Sequence, residues 1–236
     1  MVATPPSTAG SQTLSRGIRV LEILSEAGTP LTIDETASRL GVHRSNAYRL
    51  VRTLEEHGLV GRDPRGGLVL GARLAALAAG VDRDLQAEAL PELTAAANEL
   101  GMTCFVAVLD REECVTLTSV EPRHAVAAVA QRPGTRHFVG VGAPGRAILA
   151  QVPRADWPSQ VSAHVVEDVR GGGVGGAFLS YDEVIPNLRA VAVPLGVRGH
   201  APASVGAVYV SSERSTEAIG ARLRGAAEAI IAALGG

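Results

Sequence analysis

The sequence predicts an α+β protein in two parts: a small helical part that closes with a β-hairpin, then a larger antiparallel sheet flanked by helices. Three observations carry this. Apolar residues recur at helical spacing before residue 58, in stretches bounded by capping residues, glycine or proline. The runs MTCFVAVLD, CVTLTSV, HAVAAVA, LRAVAVPL and SVGAVYVSS are rich in β-formers and separated by charged or Gly-rich turns. Helical patterns precede and follow these runs, which is the layout of a sheet covered by helices.

Taken in order, the first helix is expected from Ser15 to about Ala27, where Ile18, Leu21 and Leu24 recur at helical spacing and Gly28 and Pro30 end it. The tetrad TIDE then forms a capping box. Thr32 can accept from the backbone N–H of Glu35 while the Glu35 carboxylate reaches back to the Thr32 amide. The short helix Ile33 to Leu40 stops at Gly41, and a longer one starts near Arg44 or Ser45 and runs to His57. Short helix, glycine turn, longer helix is the helix-turn-helix layout. LVGRD-PRGG-LVLG reads as strand, turn and strand, a wing with Arg62 and Arg65 near its tip.

The faces of the longer helix carry the chemistry. At about 100° per residue, Ala47, Leu50, Val51 and Leu54 share one side and must pack inward. Ser45, Arg49 and Arg52 lie opposite, with Tyr48 on the flank. Arg44 and Asn46 sit at the N-terminal tip, the end that enters the major groove in this motif. An arginine fork matches guanine and an asparagine amide matches adenine. Arg49 and Arg52 are spaced for phosphates, as are Arg62 and Arg65 on the wing. With Thr32 at the start of the preceding helix, these residues form the candidate contact set for double-stranded DNA. Arginine on the outer face of an amphipathic helix is common. The capping box, glycine turn, basic helix and wing in this order make the reading specific.

Beyond the wing, residues 73–88 are Ala/Leu-rich and expected to form a linking helix, and residues 89–101 a second helix ended by Gly101. GAPGRAILAQV reads as a glycine loop leading into a short helix. The last 25 residues form a helix with Ile219, Leu223, Ala226, Ile230 and Leu234 along one stripe.

Composition bounds the function class. The 236 residues suffice for one large or two ordinary domains, and 46% are apolar, while aromatics make up only 3%. The core is therefore built from Val, Leu, Ile and Ala. The formal charge of −2 does not mark the whole chain as a nucleic-acid binder. Residues 1–80, however, hold nine arginines against seven acids, and the rest 13 against 17. There is no lysine, so arginine usage reflects composition as much as function. Residues 1–13 are small, polar and Pro-containing, and are expected to be a disordered tail without the basic and apolar regions of a signal peptide. No run approaches the roughly 18 apolar residues of a membrane span. A cytoplasmic protein is expected.

The two cysteines are read as reduced and buried. A hairpin turning at Asp110 and Arg111 would put Cys104 opposite Leu117, too far from Cys114 for a disulfide. No Cys/His spacing suits zinc, and no cofactor is expected. GGGVGG lacks the Lys-Ser/Thr of a phosphate-binding loop and reads as a flexible turn. The G-x-x-G of GAPG opens a helix whose N–H groups could receive a carboxylate. No G-x-S-x-G elbow is present, the histidines share no spacing, and Trp157 reads as a packing plug.

Together SRGIRVLEIL, LTIDETASRLGVHRSNAYRLVRTLEEHGLV, LGARLAALA, GTRHFVGVGAPGRAILA, DEVIPNLRAVAVPL and GAVYVSS resemble the IclR family of bacterial transcriptional regulators, over residues 14 to 234. The resemblance implies a winged helix-turn-helix over residues 14–72, a linker helix over 73–88, and a GAF-like (profilin-like) effector-binding and oligomerisation domain over 89–236. It implies homodimers or dimers of dimers on palindromic operators, controlled by a small metabolite, often an organic or aromatic acid. Members both repress and activate, and this chain is read as a repressor and not an enzyme. Carried over by position, the ligand site would comprise Val126 and Val129, His137, Ala143 and Pro144, and Ser180, Ala190, Tyr209 and Ser211. The chain departs from the family pattern at Phe138, Gly140, Gly142, Ser180, Ala190 and Tyr209, and loss of the acid at 180 removes an acceptor for a hydroxylated ligand. Two other readings stay open: an enzyme with a winged-helix interaction module, and a regulator with a vestigial pocket controlled by oligomerisation.

Overall fold

Side-chain caps and glycines delimit the helices of the first unit. The computed structural model describes residues 11–78, 80–124 and 131–235. α1 (Gln12–Ala27) starts where the Ser11 hydroxyl accepts the Leu14 N–H, three residues before the predicted start, and ends at Gly28 with φ 63°. Its inner face is Gly17, Val20, Ile23 and Leu24, and Ile18 is about half exposed at 49%. Helical spacing alone admits both stripes, and packing selected the one rotated away from Ile18. α2 (Ile33–Leu40) opens on the predicted capping box, the Glu35 N–H donating to Thr32 Oγ1 at 3.2 Å and the Thr32 N–H to Glu35 Oε2 at 2.7 Å. Gly41, at φ 69°, closes it.

α3 (Arg44–Glu56) turns Ala47, Val51 and Leu54 fully inward. β1 (Val60–Arg62) and β2 (Leu68–Leu70) pair antiparallel as the wing. Asp63 Oδ1 organises its turn, accepting the N–H groups of Arg65 and Gly67. Leu68 also bridges to Leu31, so the wing is stitched to the segment before α2. Val20, Ile23, Leu24, Leu31, Val51, Leu54, Val60 and Leu68 form one core.

The predicted linker differs from the observed one. α4 (Arg73–Ala78) is short and buries no residue, and α5 (Arg83–Leu100) runs unbroken through Pro91. Asp82 precedes α5 with left-handed backbone, φ 41°. An interior proline removes one helical hydrogen bond. The stripe Leu85, Ala89, Leu93, Ala96, Ala97 and Leu100 lies on both sides of Pro91, and its burial holds the helix continuous. The chain divides into two compact units after Val81.

The second unit is a six-stranded antiparallel sheet in the order β5-β4-β3-β8-β7-β6. Its strands are β3 (Thr103–Asp110), β4 (Glu113–Val120), β5 (Arg136–Phe138), β6 (Phe178–Tyr181), β7 (Arg189–Leu195) and β8 (Ala203–Tyr209). α5 and α8 (Thr216–Ala233) cover one face, packing Leu85, Leu93, Ile219, Leu223 and Ile230 on Val106, Val193 and Val205. α6 (Gly142–Leu149) and α7 (Ala163–Arg170) cover the other, with Ile148, Leu149 and Val165 over Phe105, Cys114 and Val208. This bears out the α+β class with the sheet flanked by helices. The expected strand HAVAAVA falls, apart from His124, outside the described residues.

The β3–β4 hairpin corrects the predicted register. Asp110 pairs with Glu113 across an Arg111–Glu112 turn, with Arg111 at φ 59°, and a bulge follows between Val106 and Ala107. Cys104 therefore pairs with Val120 rather than Leu117. The cysteines also fall on opposite faces of the sheet, Cys104 with the α5–α8 core and Cys114 with the α6–α7 core. Both are free and buried, and burial pushes each thiol up to about 12. Neither thiol should react measurably with Ellman's reagent at pH 8 in the native protein, and both should react in denaturant. Reaction of one thiol under native conditions would contradict its burial.

Candidate nucleic-acid interface and ligand cavity

The outer side of α3 is built by what its inner side does. With Ala47, Val51 and Leu54 held in the core, Arg44, Ser45, Asn46, Tyr48, Arg49 and Arg52 are all exposed. His43 caps the helix, its Nδ1 accepting the Ser45 N–H at 3.3 Å and lying 2.9 Å from Ser45 Oγ. Arg44 meets Asp34 of α2 at 3.2 Å, Arg52 meets Glu56 at 3.1 Å, and Arg62 meets Glu55 at 2.7 Å. Arg16, Arg49 and Arg65 make no ion pair among the described residues. A groove runs between α1 and α3 past Thr13, Arg16, Asn46, Arg49, Leu50 and Thr53. It adds Thr13 and Arg16 to a basic surface that the periodicity of α3 could not reveal, because they belong to another helix. The Thr32 hydroxyl is engaged within its capping box, accepting from Glu35 N–H and donating to Glu35 Oε2.

In the second unit a cavity opens beside the N-terminus of α6. All eight residues of this helix are buried, including Arg146 at 2% exposure. Gly145 is required by close approach, since a Cβ there would run into the Val139 carbonyl oxygen. The helix N-terminus is satisfied by side chains from elsewhere in the chain. The Gly142 N–H donates to Glu183 Oε2 at 2.9 Å and the Ala143 N–H to Ser180 Oγ at 2.9 Å. Arg146 donates from Nε to Asp168 on α7 and from both terminal nitrogens to the Glu183 carboxylate, at 2.8 and 3.0 Å. One guanidinium thus joins α6, α7 and the loop between β6 and β7. Burial pulls the Glu183 carboxyl up, but its hydrogen bonds from Arg146 and Gly142 and the Arg146 charge outweigh this and hold it below the ordinary carboxylate value.

The cavity offers about 380 Å3 of free space, its open mouth included. Phe105, Val208, Ala190 and Leu188 line it with apolar surface, and Gln131, His137, Ser180 and Glu183 add polar groups. Burial lowers the pKa of His137, whose Nδ1 lies 3.1 Å from the Phe138 carbonyl. Among the described residues no group of three His, Cys, Asp or Glu is arranged to hold a metal ion.

Of the ligand residues expected from sequence, His137, Pro144, Ser180 and Ala190 line this cavity. Ala143 lies beneath it, its side chain packed among Ala147, Phe178 and Ala192. Val126 and Val129 lie outside the described residues. Tyr209 does not reach the cavity. It pairs with Arg189 across the strands and its side chain joins the α5–α8 core, whereas Val208 pairs with Ala190 and shares its face. A slip of one residue along β8 exchanges the faces, so Val208 takes the place expected of Tyr209. Ser211 lies beyond the strand end, exposed and outside the lining. With a serine at position 180, the carboxylate that lines the cavity is that of Glu183, which belongs to the DEVIPNLRAVAVPL motif but was not assigned to the ligand site from sequence. The carboxylate site expected on the α6 N–H groups is already filled by Ser180 and Glu183.

Removing one partner of a buried charge leaves the other uncompensated. Glu183→Ala, with Asp168 still facing Arg146, should destabilise the chain by about 2 kcal/mol at pH 7. A carboxyl whose folded pKa is depressed stabilises above its unfolded value and loses that contribution as pH falls through the folded one. The stability gap between wild type and Glu183→Ala should therefore close below the ordinary value of 4.5. Thermal melts across pH 3 to 8 measure this, and a gap independent of pH would contradict the ionised pair.

The IclR helix-turn-helix domain family matches residues 13–64. The transcriptional repressor IclR of Escherichia coli (strain K12) is 31% identical over 156 residues, covering 64% of this chain and 57% of that repressor. The chain thus spans little more than half the length of the curated relatives it matches. An IclR transcriptional regulator from Alicyclobacillus acidocaldarius shares 26% identity at a TM-score of 0.80, covering 95% of this chain and 99% of its own. An IclR homolog from Microbacterium hydrocarbonoxydans, crystallised with 4-hydroxybenzoate, has the same fold at a TM-score of 0.80 and 24% identity, over 94% of this chain and 99% of its own. Residues 13–64 thus match the helix-turn-helix domain of the IclR family, and the chain shares its fold with a solved IclR transcriptional regulator.

Proposed function

We propose that this chain is a DNA-binding repressor whose second unit binds a small effector. One observation carries the reading: the tip and outer face of α3 present Arg44, Ser45, Asn46, Tyr48, Arg49 and Arg52 to solvent while its apolar face is held in the core. The carboxylates paired with Arg44 and Arg52 do not oppose it. Such exposed pairs contribute about 0–1 kcal/mol, so phosphates can replace them. Arg44 and Asn46 read base edges in the major groove, and Arg49, Arg52, Arg62 and Arg65 hold phosphates. Thr32 stands at the start of α2, whose N-terminal amides face the same backbone. Two chains as a homodimer, or four as a dimer of dimers, place one such helix in each half of a palindromic operator.

The effector reading is supported by the lined cavity and by the relative that holds 4-hydroxybenzoate. An effector can change operator affinity only through a difference in its own affinity for the DNA-bound and free arrangements.

Fluorescence anisotropy with DNA from upstream of the chain's own gene tests this across a salt series. Wild type should bind a selected sequence saturably, with affinity falling as salt rises. Arg44→Ala should cost about 1–3 kcal/mol and relax discrimination at one base pair. Arg49→Ala should weaken binding to all sequences alike and reduce the salt slope by about one. Wild-type binding that stays equal for every duplex, upstream fragment and random competitor alike, would remove the operator reading.

A further inference from the structure

We infer that the cavity beside α6 takes an uncharged, hydroxylated small molecule in preference to a carboxylate. This rests on the effector reading above and names the class of ligand.

The groups that would receive a carboxylate are already engaged. At the α6 N-terminus, the Gly142 N–H goes to Glu183 and the Ala143 N–H to Ser180, and Pro144 has no N–H. No amide of the first three helical positions is left for an anion. Arg146 is buried and forked onto Glu183 with its third donor on Asp168. Arg189 contributes to the cavity wall, but its guanidinium stacks over the Tyr181 ring at 4.9 Å. Tyr181 and Arg189 are cross-strand partners, and their neighbours Ser180 and Ala190 are the pair that line the cavity. Successive side chains point to opposite faces, so the Arg189 charge is held on the far side of the sheet. Residues 125–130, outside the described residues, are Ala and Val only.

Apart from Arg189, whose guanidinium is held on Tyr181, the charged residue lining the cavity is an acid. Glu183 forms part of the wall, and with Arg146 and Asp168 it makes a cluster of one cation and two anions. A ligand carboxylate would face this excess without a free cation among the described residues.

The remaining polar groups suit hydroxyls. Ser180 Oγ accepts from Ala143, and its proton has no acceptor among the described residues. A carbonyl can only accept, so His137 donates from Nδ1 to Phe138, and its neutral ring keeps Nε2 as an acceptor. Gln131 donates from Nε2 to Thr116 Oγ1 at 2.8 Å, leaving its amide oxygen. Acceptors beside Phe105, Val208 and Leu188 fit a small ring or short chain that carries a hydroxyl donor.

The test compares matched ligands on the full chain by isothermal titration calorimetry at pH 7.5: 4-hydroxybenzamide and 4-hydroxybenzyl alcohol against 4-hydroxybenzoate. The uncharged pair should bind at least tenfold more tightly than the acid. Glu183→Gln, which keeps an acceptor but removes the charge, should narrow that gap, and His137→Phe should weaken the uncharged pair about tenfold. If 4-hydroxybenzoate binds wild type as tightly as its uncharged partners, the inference falls and the effector reading stands. A gap unchanged in Glu183→Gln removes the electrostatic basis and overturns the inference in the same way. If no probe binds wild type that still binds DNA, both the inference and the effector reading fall.

Discussion

A single buried guanidinium organises the second unit. Among the described residues Arg146 is the one charged side chain that is fully buried. A charge taken out of water must be met by opposite charge, and here both partners come from distant parts of the chain. Asp168 arrives on α7 and Glu183 on the loop that follows β6. Meeting Arg146 therefore fixes α6 against α7 and draws the β6–β7 loop down to the helix. The same Glu183 carboxylate then caps Gly142, and Ser180 caps Ala143. The cavity is the space this arrangement encloses, and its electrostatic character follows from the cluster that builds it. A wall assembled to neutralise Arg146 leaves one negative charge over and no open helix N-terminus.

The first unit obeys a different constraint. Its core is small and aliphatic, and each of its three longer helices commits one stripe to it. α3 then has nothing further to bury, so its remaining surface is free to be polar and basic. The capping box at Thr32 and the left-handed Gly41 place α2 and α3 in sequence with a short connection, and the bridge from Leu31 to Leu68 ties the wing into the same core. The exposed ion pairs on this surface are weakly held.

Much of this was legible in the chain. The capping box, the Gly41 stop, the inward set Ala47, Val51 and Leu54, the wing, and the stripe along α8 all depend on residues within a turn or two of one another. Where reading failed, the information lay further away. Helical spacing along α1 allows two adjacent stripes, and packing left Ile18 half exposed. The linker was divided between residues 88 and 89, whereas the helix break falls before Arg83, because the buried stripe that holds α5 continuous depends on the sheet it packs against. Tyr209 was carried to the ligand site by position from the family pattern, and a slip of one residue along a strand reverses the face. The β3–β4 bulge moved Cys104 from Leu117 to Val120 for the same reason.

By itself, then, the sequence determined the helix-turn-helix, the outward chemistry of α3 and the class of a sheet flanked by helices, since period, caps and turns are local. Only the tertiary structure decided that Glu183 lines the cavity beside Ser180, that Val208 rather than Tyr209 lines it, and that Ser180 and Glu183 occupy the first α6 amides. Those outcomes need contacts across 37 to 41 residues of chain and the pairing of strands, and no local pattern encodes them.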